Sequence, residues 1–458
     1  MVVSPRPAPD GAAPAAQAPG LAARKAAAKL LAAVIDAHTP LDGLTDADHG
    51  HPMFRALDAR DRSLLRAILA TALRFRGTIG RLIAARLERP LPPNASALTH
   101  ILHVAAAQIL FLDVPDSAAV DLAVTHALSD PRTRRFSGLV NGVLRAIARD
   151  KERTLPQELG KGDEAPEWFR DRLDAAYGPE RAAAMLAAHR AQAPVDFTVK
   201  AEPREWAEAL GGFVLPTGSV RVEKLSGPVS SLPGYAEGAW WVQDAAAALP
   251  ARLFGDLAGK NAIDLCAAPG GKTAQLVLAG AAVTALDMSA NRLKRLDANL
   301  ARLGLKAELA QADLLKHDEA RRFDAVLLDA PCSSTGTVRR HPDVPWTKSP
   351  DDIAKLADLQ GRLLRKAAHY LAPGGLLVFS NCSLDPAEGE LLVAEFLAET
   401  PDLVIEPVVA HELEGIEAFV TPRGTLRTTP ADLDLGRPEI SGLDGFFAAR
   451  MRRVRQSS

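Results

Sequence analysis

Hydrophobic residues between positions 21 and 150 recur at spacings of three and four, the period of one face of an α-helix. The segments with this pattern are ARKAAAKLLAAVIDAH, DRSLLRAILATALRFRGTIGRLIAARL, ALTHILHVAAAQILFLD, PDSAAVDLAVTHAL and FSGLVNGVLRAIARD. Prolines at positions 90, 92 and 93 interrupt the pattern. No strand-like alternation occurs in this region, so residues 21–150 are predicted to form an all-helical domain.

The hydrophobic pattern weakens over the next 87 residues, 151–237. Residues 151–165 (KERTLPQELGKGDEA) are charged and poor in apolar side chains, as linkers are. Residues 166–237 contain two helical segments, followed by the short strand-like runs DFTVK and SVRVEK. We therefore predict a linker at 151–165 and a small α+β region at 166–237.

From residue 238 to 458, short apolar segments alternate with helical ones. The apolar segments are NAIDLC, AVTALD, AELAQAD, FDAVLLD and GLLVFS. Because this alternation is typical of a parallel, doubly wound sheet, the region is predicted to be an α/β domain with a Rossmann-like sheet. FVTPR and GFFAARMRRV are expected to add edge strands. Ligands of such sheets bind at the carboxyl ends of the strands.

The composition excludes several classes of protein. With 47% hydrophobic and 24% charged residues it is typical of a soluble globular chain, and no apolar run is long enough to cross a bilayer. Residues 1–20 are rich in Ala and Pro and lack the features of a signal peptide, so we expect a disordered tail and a cytoplasmic location. Three cysteines without a Cys-x-x-Cys pair favour neither a disulfide framework nor a metal site.

The net charge of -2 is unevenly distributed. Residues 21–150 carry 17 Lys plus Arg against 12 Asp plus Glu, so the remainder of the chain is acidic. Arginine suits phosphate contacts, which favours RNA binding by the helical domain. The arginines that support this are Arg60, Arg62, Arg66, Arg74 and Arg76. A solvated helical surface or a protein-interaction module is the alternative.

The stretch DLCAAPGGKT, residues 264–273, almost matches a phosphate-binding loop. That motif requires a glycine at the position occupied by Cys266, so the phosphate cradle is incomplete. The dinucleotide pattern Gly-x-Gly-x-x-Gly is absent too. What remains is a strand, a turn containing Gly270 and Gly271, and a helix. Since glycine allows a ligand to approach the backbone closely, we predict a ligand other than a triphosphate here.

Acidic residues end three of the predicted strands. Asp287 ends the second strand, Asp313 the third and Asp329 the fourth. An acid at the end of the second strand of a nucleoside-binding sheet accepts hydrogen bonds from the ribose hydroxyls. A single such residue could instead cap a helix. Three of them at one rim of the sheet favour a nucleoside pocket, in which Asp313 contacts the edge of the base.

The cysteines map to the same rim. Cys266 follows the first strand, Cys332 the fourth and Cys382 the fifth. These three strands can be neighbours at the centre of a doubly wound sheet, so Cys332 and Cys382 could approach one ligand. Cys266 is interpreted as structural.

A thiolate, a carboxylic acid and a sulfonium donor together suit methylation of a pyrimidine at carbon-5. Addition of the thiolate to carbon-6 makes carbon-5 nucleophilic, and an acid at N3 stabilises the adduct. Cys332, Cys382 and Asp329 could supply these groups. This chemistry does not show which cysteine adds to the base.

Five segments of the second half resemble bacterial RNA cytosine-5 methyltransferases that use S-adenosylmethionine. They are VQDAAA, DLCAAPGGK, DAPCSSTGTVRRHPD, SNCSLDPAEGE and DGFFAARMRR. The continuation RRHPDVPW resembles the branch that acts on small-subunit ribosomal RNA. In the first half, DARDRSLLRAILATALR, VPDSAAVDLAV and GLVNGVLRAIAR are similar to the helical NusB fold, an addition typical of the same branch.

The resemblance implies a role for each residue of the site. Asp287 holds the ribose, Asp313 the adenine, and Asp329 lies beside both the cofactor and the target base. Cys382 is the nucleophile, and Cys332 assists release of the product. The expected cofactor-binding turn consists of Cys266, Ala267, Ala268, Pro269, Gly270, Gly271 and Lys272.

The expected substrate is a cytosine of 16S ribosomal RNA, and the expected form is a monomer without a metal. A transfer RNA methyltransferase and a non-catalytic RNA-binding scaffold are the alternatives. Two positions depart from the family pattern: Asn381 replaces a threonine before the nucleophile, and FTVK, with Lys200, replaces an Arg-Val-Asn run.

Overall fold

The computed structural model describes residues 18–92, 94–162, 164–318, 320–412, 415 and 417–454. Of the tail predicted at residues 1–20, residues 1–17 lie outside the described residues. The chain divides between Glu164 and Ala165 into two compact units.

The first unit is helical, as the hydrophobic pattern predicted. Its helices are α1 (Leu21–Ala37), α2 (Leu41–Leu44), α3 (Pro52–Arg55), α4 (Ala59–Arg74), α5 (Arg76–Ala84), α6 (Ser96–Phe111), α7 (Asp116–Ser129) and α8 (Ser137–Leu159). None of the described residues of this unit belongs to a strand. Helix α6 is buried along most of its length and packs against α1, α4, α5, α7 and α8. It therefore forms the centre of the helical unit.

The structure differs from the prediction in the segment 151–165. Helix α8 continues through most of it and ends at Leu159. Two acidic side chains of the segment are held by α5: Arg81 donates to Glu158 at 2.9 Å, and Thr78 N donates to Glu164 Oε2 at 2.9 Å. The expected linker is thus mostly a part of the helical unit.

Three of the arginines that favoured RNA binding make contacts within the helical unit. Arg62 and Arg66 lie over the ring of Phe54, 5.4 and 4.8 Å from its centroid, and both donate to backbone carbonyls. Burial lowers the pKa of Arg76 to about 10. Because these side chains stabilise the helical packing, the charge argument for RNA binding depends on fewer arginines than the sequence suggested.

The second unit begins with an α+β region, as predicted. Its helices are α9 (Glu167–Tyr177), α10 (Pro179–His189) and α11 (Pro203–Leu210), and its strands are β1 (Val195–Val199), β2 (Phe213–Val214), β3 (Val220–Val222) and β4 (Trp240–Val242). The strands form an antiparallel sheet in the order β2-β3-β1-β4. Because β4 pairs with β1, this sheet extends beyond the boundary predicted at residue 238.

A large sheet with helices on both faces follows. Its strands are β5 (Asn261–Leu265), β6 (Ala282–Asp287), β7 (Glu308–Gln311), β8 (Phe323–Asp329), β9 (Leu371–Asn381), β10 (Leu403–Ile405), β11 (Leu426–Thr428) and β12 (Phe446–Arg453). Its helices are α12 (Leu249–Arg252), α13 (Gly271–Leu278), α14 (Ala290–Arg302), α15 (Val344–Thr347), α16 (Pro350–His369) and α17 (Glu390–Glu399). The strand order is β10-β12-β9-β8-β5-β6-β7, and β11 pairs with β12.

The sheet confirms the predicted centre and corrects the predicted edges. Strands β7, β6, β5, β8 and β9 run parallel, and β5, β8 and β9 are neighbours, as expected. The prediction for β12 was wrong, because it lies between β9 and β10 and runs antiparallel to both. Within the described residues, FVTPR contributes only an isolated bridge from Val420 to Leu426. Without β12, strand β9 would be an edge strand with a row of backbone groups that lack partners. Pairing with β12 satisfies those groups, which explains the position of β12 inside the sheet.

Strand β8 is buried on both faces. Val326 and Leu328 belong to the core formed with α16 and α17, whereas Ala325 and Leu327 belong to the core formed with α12 and α13. A strand covered on both sides is a nearly continuous apolar run, which is the pattern of FDAVLLD. The acid that this strand brings to the rim of the sheet, Asp329, is its last residue.

Candidate active site at the strand ends

The turn after β5 has backbone conformations that few residues adopt. Cys266 has a φ of 63°, and Gly270 has a φ of 102°. A Cβ at position 270 would lie 2.8 Å from Leu296 Cγ of α14. Both the backbone angle and the packing therefore require glycine at this position. Helix α13 begins immediately afterwards, at Gly271.

A cavity of ≈ 370 Å³ lies over this turn, a size within the range of roughly 300–1,000 Å³ for small-molecule sites. The turn contributes Ala267, Ala268, Pro269, Gly270, Gly271 and Lys272 to the lining. Trp241, Gln243, Asp264 and Asp329 line other walls. Cys266 packs its side chain against the core, and burial raises its pKa to about 12, so this thiol stays protonated.

Asp264, on β5, is a polar residue that the sequence reasoning missed. It is 0% exposed, and its Oδ2 accepts a hydrogen bond from Thr273 Oγ1 at 2.6 Å. Its Oδ1 is buried without a hydrogen-bond partner, and burial raises the pKa of the carboxyl to about 7. An unpartnered buried oxygen in the cavity wall suits a polar ligand. The available signal was a lone acid inside the apolar strand NAIDLC.

Asp287 and Asp313 differ in their exposure to solvent. Asp287 is buried behind the turn, where its carboxylate accepts hydrogen bonds from Ala268 N at 3.2 Å and Ser289 N at 2.9 Å. Asp313 is more exposed, and it accepts from Leu315 N at 3.1 Å. The two acids follow the neighbouring strands β6 and β7 at the same rim of the sheet. Neither lines the ≈ 370 Å³ cavity.

Asp329, at the end of β8, is held from two sides. Lys272 Nζ donates to its Oδ2 at 2.8 Å, and Ser380 Oγ of β9 donates to its Oδ1 at 2.9 Å. Lys272 also lies over the ring of Phe446, 4.8 Å from its centroid. The carboxylate is therefore fixed between the glycine turn and the strand that leads to Cys382.

The structure brings two of the three cysteines together. Cys332 Sγ lies 3.4 Å from Cys382 Sγ, and Cys382 Sγ lies 3.6 Å from Ser334 Oγ. The hydrogen bond from Cys332 lowers the pKa of Cys382, whereas the pKa of Cys332 is raised by the same contact and by burial. The positions of Ser334 and Lys272 also favour a thiolate at Cys382. The pKa shifts of the two thiols therefore have opposite directions.

Two features are absent from the described residues. No group of three or more His, Cys, Asp or Glu side chains is arranged to hold a metal ion among those residues. No helix in the same part of the chain combines the length and the apolar character that a membrane span needs.

Two protein families match the chain. The family described as 16S rRNA methyltransferase RsmB/F matches residues 256–452. The NusB family matches residues 21–149, which lie within the helical unit.

Curated relatives are similar over most of the chain. The ribosomal RNA small subunit methyltransferase B of Klebsiella pneumoniae is 34% identical over 421 residues, which covers 88% of this chain and 93% of the relative. The protein of the same name from Cronobacter sakazakii is 32% identical over 417 residues, which covers 87% of this chain and 92% of the relative.

Solved structures share the fold. The crystal structure of PH0851 has a TM-score of 0.71 at 24% identity and covers 95% of this chain and 98% of its own. A methyltransferase homolog protein from Pyrococcus horikoshii has a TM-score of 0.53 at 28% identity and covers 65% of this chain and 97% of its own. The family matches and the curated relatives show that the chain belongs to the RsmB/F family of S-adenosylmethionine-dependent rRNA methyltransferases and carries a NusB-type helical unit.

Proposed function

We propose that this protein transfers a methyl group from S-adenosylmethionine to carbon-5 of a cytosine in small-subunit (16S) ribosomal RNA, through a covalent adduct between Cys382 and carbon-6. The observation that most supports this is the contact of Cys332 with Cys382 at the rim that also carries Asp329. The names of the family and of its relatives support the ribosomal RNA substrate. Such a substrate implies a cytoplasmic reaction.

The residues around the glycine turn fit the cofactor. The turn from Cys266 to Lys272 would bind it, with Asp287 at the ribose and Asp313 at the adenine. The unpartnered Oδ1 of Asp264 suits its polar methionine portion. When bound, S-adenosylmethionine supplies an electrophilic methyl group.

Cys382 activates the cytosine. Its thiolate adds to carbon-6, a sulfur–carbon bond forms, and the electrons of the carbon-5/carbon-6 double bond make carbon-5 nucleophilic. Asp329, as a carboxylic acid, hydrogen-bonds N3, where negative charge develops. Lys272 Nζ, 2.8 Å from Asp329 Oδ2, holds this side chain in place.

Cys332 acts at the end of the reaction. Once carbon-5 carries the methyl group and the donor has left as a neutral thioether, a base takes the carbon-5 proton, the double bond forms again, and the sulfur of Cys382 leaves carbon-6. At 3.4 Å, the thiol of Cys332 can donate a hydrogen bond to the departing sulfur. This stabilises the thiolate and favours release of the methylated RNA.

Bisulfite sequencing of RNA from a deletion strain tests the proposal. We expect one 5-methylcytosine of 16S ribosomal RNA to disappear in that strain and to return with the wild-type gene but not with Cys382→Ser. Loss of a 5-methylcytosine from transfer RNA instead would assign the alternative substrate. Unchanged methylation of both RNA classes would favour the alternative that the protein is a non-catalytic RNA-binding scaffold.

A further inference from the structure

Glu388 lies buried between the two loops that carry the cysteines. It is 0% exposed, and its carboxylate accepts hydrogen bonds at both oxygens. Ser333 N and Gln360 Nε2 donate to Oε1 at 2.9 and 2.7 Å. The hydroxyls of Ser333 and Ser383 donate to Oε2 at 2.5 and 2.6 Å. A carboxylate is stable in such a buried place only because these donors replace water.

Two of the three donor residues, Ser333 and Ser383, directly follow the cysteines. Ser333 comes after Cys332 in the loop that follows β8, and Ser383 comes after Cys382 in the loop that follows β9. A single side chain, Glu388, therefore holds both loops at neighbouring points.

The same buried cluster holds the residue before Cys382. Asn381 Nδ2 donates to the backbone carbonyl of Glu388 at 2.6 Å and to Gln360 Oε1 at 3.1 Å. Asn381 Oδ1 accepts from Ser383 N at 3.0 Å. Asn381, where the family usually has threonine, thus takes part in a fully hydrogen-bonded network that rigidifies the loop.

We propose that Glu388 is a positioning residue for the reaction: it holds the loops of Cys332 and Cys382 at the separation at which the two sulfurs share one proton. This inference rests on the proposed roles of the two cysteines. It adds a residue that never touches the RNA and that acts through Ser333 and Ser383.

The charge of Glu388 favours the same arrangement. The pKa of Cys332 is raised mainly by its hydrogen bond to Cys382 and by burial, and the negative charges of Cys382 and Glu388 add to the effect. The proton therefore stays on Cys332, which donates it in a hydrogen bond to the Cys382 thiolate. Loss of the charge at position 388 removes part of this preference.

Glu388→Gln tests the inference, because it keeps the volume while it removes the charge and one acceptor. The alkylation rates of Cys332 and Cys382 by iodoacetamide are measured separately by peptide mass spectrometry across roughly pH 6–9. We expect the pH at which the alkylation rate of Cys382 is half-maximal to rise. The ratio of the alkylation rate of Cys382 to that of Cys332 should fall about tenfold. Single-turnover methyl transfer should slow by a similar factor, with unchanged affinity for S-adenosylmethionine.

Two further variants make the result decisive. Glu395→Gln removes a charge from an exposed position on α17 and should behave like the wild type. Ser333→Ala removes one hydroxyl donor to Glu388 and should shift the alkylation midpoint of Cys382 in the same direction by a smaller amount. This variant tests the inference if Glu388→Gln does not fold.

Two results would overturn the inference. The first is that Glu388→Gln or Ser333→Ala has the alkylation profile of the wild type and normal methyl transfer. Glu388 then has no positioning role, and the proposed function is unaffected. A wild-type protein that methylates no RNA and shows no preference for alkylation of Cys382 removes both.

Discussion

Cys332 Sγ and Cys382 Sγ lie 3.4 Å apart, although 50 residues separate them along the chain. The contact follows from the pairing of β8 with β9, in which Asp329 lies opposite Ser380. Each cysteine follows its strand by a few residues, so parallel pairing brings both to one rim. Two thiols at this distance share a proton, and only one of them is readily a thiolate.

Replacement of the proposed nucleophile should separate chemistry from cofactor binding. In Cys382→Ser the hydroxyl is too weak a nucleophile to add to carbon-6, so we expect methyl transfer to be lost. The affinity for S-adenosylmethionine, measured by calorimetry, should stay at the wild-type value, because the residue is not in the glycine turn. Glu395→Gln, at an exposed position on α17, is the control and should retain activity. Substantial turnover by Cys382→Ser would exclude it as the nucleophile.

Replacement of the partner thiol should block a later step. In Cys332→Ala the sulfur of Cys382 loses its hydrogen-bond donor, so release of the product is expected to slow and the protein–RNA adduct to accumulate. A denaturing gel with labelled RNA detects the adduct as a slowly migrating band. The double variant with Cys382→Ser should show no such band. Absence of the band from the single variant would contradict the release function.

Asp287 is expected to contribute to cofactor affinity in two ways. It accepts a hydrogen bond from Ala268 N in the turn, and it is the proposed acceptor for the ribose. We expect Asp287→Ala to weaken binding of S-adenosylmethionine by about 1–3 kcal/mol, the cost of losing hydrogen bonds to a charged group. Asp297→Ala, an exposed position on α14, is the control for a lost charge. Equal affinities of the two variants by calorimetry would contradict the assignment.

Asp264 should make the stability of the protein depend on pH. Its pKa in the folded protein is about 7, above the value of about 3.9 in an unfolded chain, so the folded state binds the proton more tightly. The contribution of Asp264 to the free energy of unfolding is therefore largest at low pH. It decreases as the pH rises through this window, by up to ~4 kcal/mol, and is constant above it.

Chemical denaturation of Asp264→Asn at several pH values tests this dependence. Asparagine does not titrate, so the stability of the variant should change less than that of the wild type between about pH 4 and pH 7. Asp297→Asn, which alters an exposed carboxylate, should follow the wild type. Parallel curves for Asp264→Asn and the wild type would contradict the prediction, because they would show that folding does not change the pKa of Asp264.

The regular parts of the fold were predictable because each element has its own period. The helical unit follows from spacings of three and four, and the central strands follow from short apolar runs such as FDAVLLD. The segment after residue 150 was not predicted as a helix, because its charges are satisfied by Arg81 and by other groups distant in sequence. The position of β12 inside the sheet could not be predicted from the sequence either, because a strand of one sequence can pair with several different neighbours.

The sequence by itself determined which residue types lie at the rim: the glycine turn, three acids and three cysteines, each at or shortly after the end of its strand. It did so because the side chains of a doubly wound sheet are apolar except where strands end. Only the tertiary structure decided which of these groups meet. The pairing of Cys332 with Cys382, the contact of Lys272 with Asp329 and the buried carboxylates of Asp264 and Glu388 depend on distances of a few ångströms between loops, and no local pattern encodes those distances.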